Sequence, residues 1–174
     1  MDTREPSLIF VLGGARSGKS RYAEQLVTSL PAPWIYVATA EVRDEEMRQR
    51  VTLHQDRRGD GWETRTVPED LPGLLSDVSI ADKPVLVDCL TLWVSNLMLA
   101  EKNVLAACTA LEAALAQRTR ARTVLVSNEV GLGIVPQNAL ARRFRDEAGR
   151  VNQRVAQAAD QVIFMVAGLP MTVK

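Results

Sequence analysis

Four sets of residues in this chain could do chemistry on a phosphate. The first is Gly13, Gly14, Ala15, Arg16, Ser17, Gly18, Lys19 and Ser20, which fits G-x-x-x-x-G-K-[ST]. Glycines there let the backbone fold round phosphate oxygens, with N–H groups and a helix N-terminus aimed at the negative charge. In that pattern Lys19 sits on the β and γ phosphates of a nucleoside triphosphate, Ser20 offers its hydroxyl to Mg²⁺, and Arg16 adds a second cation. The second is Asp88, an acid closing an apolar run; it suits the other Mg²⁺-organising position, or a helix cap. The third is Asn128 with Glu129, where a carboxylate could take a proton from an attacking hydroxyl or fix water on the metal, or where the pair could simply hold the loop before Pro136. The fourth is His54, the one histidine, which shares a helical face with Met47 and Val51 and on that spacing alone reads as a half-buried structural residue.

These groups need strands to deliver them. Residues 8–12 form an apolar run just before the glycine-rich loop, and Tyr22, Ala23, Leu26, Val27 and Leu30 recur at helical spacing just after it. Residues 34–38 read as a buried strand ending in Thr39 and Ala40, and 63–67 alternate like an exposed or edge strand. A helix is expected from about Asp44 until Gly59, and a loop with a weak helical turn over 68–78. Residues 85–87 make the strand that presents Asp88; helices follow through Trp93 and Leu97 and through Val104, Cys108, Leu111 and Leu115. Strand 123–126 leads to Asn128, and a long helix through Leu140, Phe144, Ala148, Val151 and Val155 carries Arg143, Glu147, Arg150 and Arg154 on its other, solvated face. Strand 162–166 comes last, with 171–173 placed to return antiparallel along the edge. Alternating strands and helices predict an α/β fold with a mainly parallel sheet and helices on both faces. Ligands bind beyond the carboxyl ends of such strands, so Gly13 to Ser20, Thr39, Asp88, Asn128, Glu129 and Gly168 should share one rim.

Composition narrows the function classes. At 174 residues and 47% hydrophobic content the chain suits a single domain spanning residues 1–174. Basic and acidic residues both number 21, so no general field draws nucleic acid or an anionic membrane. Cys89 and Cys108 lack metal-ligand spacing and read as core filler in a reducing compartment. With no apolar leader or uninterrupted membrane-length run, the expectation is a soluble, cytoplasmic protein.

Several separated segments together resemble one family. They are GGARSGKS, the ATA at 38–40, EM-x-x-R-x-x-x-H-x-x-x-R over 46–58, VLVDCLTLWVSNLM, SNEVGLGIVP, FRDEAGRVNQ-x-VA and the terminal MVAGLP. In this order, over nearly the whole chain, they are similar to the bifunctional adenosylcobinamide kinases and adenosylcobinamide-phosphate guanylyltransferases of cobalamin synthesis. The resemblance implies a three-layer, RecA-like P-loop fold, a homotrimer, and a corrinoid substrate used with ATP or GTP and Mg²⁺. It implies two reactions: phosphorylation of the substrate hydroxyl, then transfer of GMP from GTP to the new phosphate with release of pyrophosphate. His54 matches the family histidine that carries GMP; a neutral imidazole, with a reference pKa of about 6.5, is nucleophilic near neutral pH. Carried over residue by residue, the nucleotide contacts are residues 13–20, Ala38, Thr39, Ala40, Gln55, Asp56, Arg57, Arg58 and Asp88, with Ser20 and Asp88 on the metal. His54 and Lys19 are then catalytic, joined by Glu129 from its position. The chain departs from the family at Thr66, where an acid often stands.

Two other readings stay open on the residues alone. One is a simple small-molecule kinase in which His54 is structural. The other is a GTP-dependent switch, against which stands the lack of an N-K-x-D segment.

Overall fold

The computed structural model describes residues 7–40 and 59–174. The segment 41–58, which carries the expected helix near Asp44 together with His54, Gln55, Asp56, Arg57 and Arg58, lies outside the described residues. Seven strands form one sheet: β1 (Leu8–Gly13), β2 (Trp34–Ala38), β3 (Trp62–Thr66), β4 (Val85–Asp88), β5 (Thr123–Asn128), β6 (Gln161–Val166) and β7 (Leu169–Thr172). Their order is β3-β2-β4-β5-β1-β6-β7. All neighbours are parallel except β6 and β7, whose antiparallel pairing follows from the tight turn at Ala167 and Gly168, both with positive φ.

The long apolar runs of β1, β2, β4 and β5 exist because both sheet faces are covered. Side chains alternate between two cores. Leu8, Phe10, Ile35, Val37, Val85, Val87 and Leu125 meet α2 (Leu71–Leu75), α3 (Leu90–Leu99), α4 (Val104–Gln117) and α5 (Ala139–Ala158) on one side. Ile9, Val11, Tyr36, Ala38, Leu86, Val124 and Val126 pack on the other against Ala23 and Val27 of α1 (Lys19–Thr28). Asn103 and Asn138 start α4 and α5 by accepting hydrogen bonds from Ala106 and Ala141 N–H, each at 3.0 Å.

Two expectations need adjusting. The stretch after residue 68 forms a real, if short, helix and a 3₁₀ turn (Val78–Ile80), each started by an aspartate cap, Asp70 and Asp77. Arg154 does not belong to a solvated face: it forms a two-pronged ion pair with Glu112 of α4, with both side chains less than a third exposed. Arg150 pairs with Glu147, as its spacing suggests.

Candidate functional site

Local backbone shape is what turns residues 13–20 into a cradle. Gly13 pairs with Asn128 on one side and Met165 on the other, leaving no room for a side chain there: a Cβ would lie 2.7 Å from the Met165 carbonyl oxygen. Arg16 and Gly18 take φ of +57° and +92°, the latter natural only for glycine. Gly18 is also the N-cap of α1 and supplies no side chain, so the first N–H groups of that helix have no side-chain cap. From the far edge, Gly168 N–H donates to the Ser17 carbonyl at 3.0 Å and braces the loop. The Ser17 hydroxyl is buried and has no hydrogen-bond partner among the described residues.

Lys19 is 8% exposed, and its ammonium donates to the Gly14 carbonyl at 2.7 Å, folded back across the loop. Burial lowers its pKa, while the negative charge of Asp88 pulls the other way. Asp88 ends β4 on the α1 side of the sheet, and its Oδ2 accepts from the Tyr36 hydroxyl at 3.3 Å. The cap reading of Asp88 fails, because the N-cap of α3 is Cys89 and no side chain caps that helix. Asp88 is thus a half-buried carboxylate whose charge reaches the lysine of the loop.

Asn128 and Glu129 sit next to Gly13: Glu129 N–H donates to the Gly13 carbonyl at 3.0 Å. The Glu129 carboxylate accepts from Gly131 N–H, holding the turn that follows. Asn128 is tied to Thr91 through both its backbone and side-chain N–H groups, at 2.7 and 3.2 Å, and its carbonyl accepts from Asn152 at 3.3 Å. Of the two alternatives, these bonds show the one in which the pair holds its loop. The pair lies on the rim and also holds its own loop.

Of the segment 38–40, Ala38 and Thr39 are buried and Ala40 is half-buried. The Thr39 hydroxyl accepts from Cys89 N–H at 2.8 Å and donates to the Cys89 carbonyl at 2.7 Å, clamping the residue after Asp88. Buried Asn96 donates to the carbonyls of Thr39 and Pro68, at 2.8 and 3.0 Å. Tyr36, Thr91, Asn96 and Asn152 are thus part of the site's support, a part that the sequence pattern does not assign to them. The available signal was Tyr36 two places before Ala38, on the same strand face.

The residues present suit Mg²⁺ carried by a nucleotide. Ser20 in the first turn of α1 and Asp88 offer a hydroxyl and a carboxylate, while no three His, Cys, Asp or Glu converge among the described residues. One carboxylate with phosphate oxygens and water is how Mg²⁺ is commonly held in phosphoryl-transfer sites.

A P-loop at the switch between β1 and α1, with an acid at the end of β4, defines a P-loop NTPase fold with a nucleotide-using site. A type III secretion ATPase of known structure aligns with 95% of this chain and 56% of its own, with a TM-score of 0.55 at 13% identity, which speaks to the fold alone. The family model described as cobinamide kinase / cobinamide phosphate guanyltransferase matches residues 9–173, and the chain belongs to that family of transferases. Among its relatives are the bifunctional adenosylcobalamin biosynthesis proteins CobU of Salmonella typhimurium LT2 and CobP of Pseudomonas aeruginosa PAO1. The first is 42% identical over 96% of this chain and 99% of its own, the second 44% identical over 94% and 95%. No helix among the described residues is long and apolar enough to cross a membrane.

Proposed function

We propose that this chain phosphorylates adenosylcobinamide with a nucleoside triphosphate and then transfers GMP from GTP to the adenosylcobinamide phosphate through a guanylyl-histidine at His54. The observation that carries this is one loop whose α1 N-terminus has no side-chain cap and whose buried Lys19 feels the charge of Asp88 at the end of β4. Such a cradle stabilises a transferring γ group and a departing pyrophosphate alike, because the same donors meet the developing charge in both reactions.

In the first step the substrate hydroxyl oxygen attacks the γ phosphorus, the bond from the β–γ bridging oxygen to γ phosphorus breaks, and the diphosphate leaves. Glu129 takes the hydroxyl proton. In the second step an imidazole nitrogen of His54 attacks the α phosphorus of GTP and pyrophosphate leaves. The phosphate oxygen of the substrate then attacks the same phosphorus, and the P–N bond breaks as the protonated imidazole departs, giving adenosylcobinamide-GDP. Lys19 and the N-terminus of α1 hold the phosphates throughout. Residues 38–40, 55–58 and Arg16 complete the nucleotide contacts, and Ser20 and Asp88 would hold Mg²⁺, which neutralises charge on the phosphates when bound. The resemblance further supports a homotrimer working in the cytoplasm.

The test is incubation with α-³²P-GTP and Mg²⁺, followed by mapping of the label. Acid-labile radioactivity on the His54 peptide, lost in His54→Ala, is expected. A chain that phosphorylates the corrinoid and never takes up label is a simple kinase with a structural histidine.

A further inference from the structure

We propose that Tyr36 is a positioning residue for the Asp88 carboxylate, holding it in place for the divalent cation that accompanies the nucleotide. The inference rests on the reading of Asp88 as the metal-organising acid and adds a residue to which no role in the reaction is assigned.

The register dictates the contact. Tyr36 lies opposite Leu86, and Ala38 opposite Asp88, in the parallel pairing of β2 with β4. Side chains alternate along strands, so positions 36, 38, 86 and 88 share one face, the one covered by α1. Ala38 is too short to touch its partner's carboxylate. A tyrosine one diagonal step away has the reach, and its hydroxyl lies 3.3 Å from Asp88 Oδ2. Because Tyr36 uses Oδ2, the contact fixes the rotation of the carboxylate as well as its place.

The phenol is itself held still. Tyr36 is 6% exposed, and its ring meets Trp62 edge-on, with centroids 6.1 Å apart. Trp62 in turn leans on Trp34 at 5.4 Å, and the Trp34 indole N–H donates to the Leu30 carbonyl at 2.8 Å. The backbone of the same acid is pinned from the other side: Thr39 N–H donates to the Asp88 carbonyl at 3.3 Å, and the Thr39 hydroxyl grips Cys89. A phenylalanine at position 36 would fill the core equally well, so packing does not call for the hydroxyl. Outer partners of this kind, where they orient a metal-binding carboxylate, typically account for about 10–100-fold in metal affinity.

The experiment follows Mn²⁺ binding by electron paramagnetic resonance to the protein loaded with a non-hydrolysable triphosphate. Wild type, Y36F, D88N and Y36F/D88N are compared, and nucleotide affinity without divalent metal is measured as the control on folding. Y36F is expected to weaken Mn²⁺ binding by about tenfold or more while leaving metal-free nucleotide affinity unchanged. In the D88N background Y36F should change nothing further, since no carboxylate is left to orient. Mn²⁺ binding by Y36F equal to wild type, with D88N impaired, overturns the role of Tyr36 and spares that of Asp88. An equal loss from Y36F in both backgrounds, or a parallel loss of metal-free nucleotide affinity, marks Tyr36 as merely structural. Undiminished Mn²⁺ binding by D88N overturns the metal reading of Asp88 itself, and the positioning role with it.

Discussion

Gly13→Ala tests whether the start of the phosphate loop is as tightly enclosed as the sheet makes it. The added methyl would lie 2.7 Å from the Met165 carbonyl oxygen, 2.8 Å from Ser17 Oγ and 3.1 Å from Met165 Cβ. The serine hydroxyl can rotate away. The Met165 carbonyl cannot, because Met165 is the register partner of Gly13 in the β1–β6 ladder and moving it distorts that pairing. Overpacking of this kind costs about 1–3 kcal/mol. For a chain of this size each kcal/mol corresponds to roughly 2–4 °C, so melting should fall by about 2–12 °C. Gly14→Ala is the matched control: a Cβ there meets nothing within 4 Å, and loss of unfolded-state freedom should leave its melting temperature at or above wild type. Circular-dichroism melts of both variants, with and without Mg²⁺ and GTP, decide the matter. The rise in melting temperature on adding nucleotide should also shrink for Gly13→Ala, because a displaced loop binds less tightly. The reasoning is refuted if Gly13→Ala melts with wild type, or if Gly14→Ala falls as far.

Other outcomes follow from single groups. Lys19→Met removes the cation of the cradle and should weaken triphosphate binding by roughly 10–150-fold, read by calorimetry; unchanged affinity contradicts the role of Lys19. Asp160 Oδ2 accepts from Leu8 N–H, Ser7 N–H and the Ser7 hydroxyl at 2.8, 2.9 and 2.9 Å, bonds that hold its pKa below the ordinary carboxylate value. A depressed carboxylate stabilises the fold above its unfolded pKa of about 3.9, and that contribution is lost as pH falls through the folded value. Asp160→Ala should therefore lower stability near neutral pH by about 1 kcal/mol, given its exposure, and the gap should close in acid; an equal gap at every pH rules this out. Cys89 is 5% exposed, and burial first, then the Asp88 charge, push its thiol up to about 11; Cys108 is raised mainly by burial. Neither should react with iodoacetamide at neutral pH until the chain unfolds, as mass spectrometry of the intact protein would report.

Much of this molecule could be read from local pattern. The G-x-x-x-x-G-K-[ST] spacing sits between a strand and a helix, and the apolar runs at β1, β2, β4 and β5 are long because both faces of a parallel sheet are buried. Their C-terminal ends placed Gly13, Asp88 and Asn128 on one rim, and the structure has them there. Long-range pairing was not legible. Arg154 sits among other basic residues at helical spacing, and nothing in that spacing names Glu112, 42 positions away, as its partner. Tyr36 looks like strand filler until the β2–β4 register sets it beside Asp88, and Asn96 looks like a break in an apolar helix until its two carbonyl partners are known. His54 is different again: helical spacing favours a structural residue, and only the family pattern around it points to a nucleophile.

The central claim, two successive transfers on one chain, is tested most directly by mass spectrometry of the products formed from adenosylcobinamide, ATP, GTP and Mg²⁺. The proposed chemistry gives adenosylcobinamide phosphate and then adenosylcobinamide-GDP with pyrophosphate, with His54→Ala stopping at the phosphate. Failure to form either product, or formation of the GDP ester by His54→Ala at the wild-type rate, would contradict it.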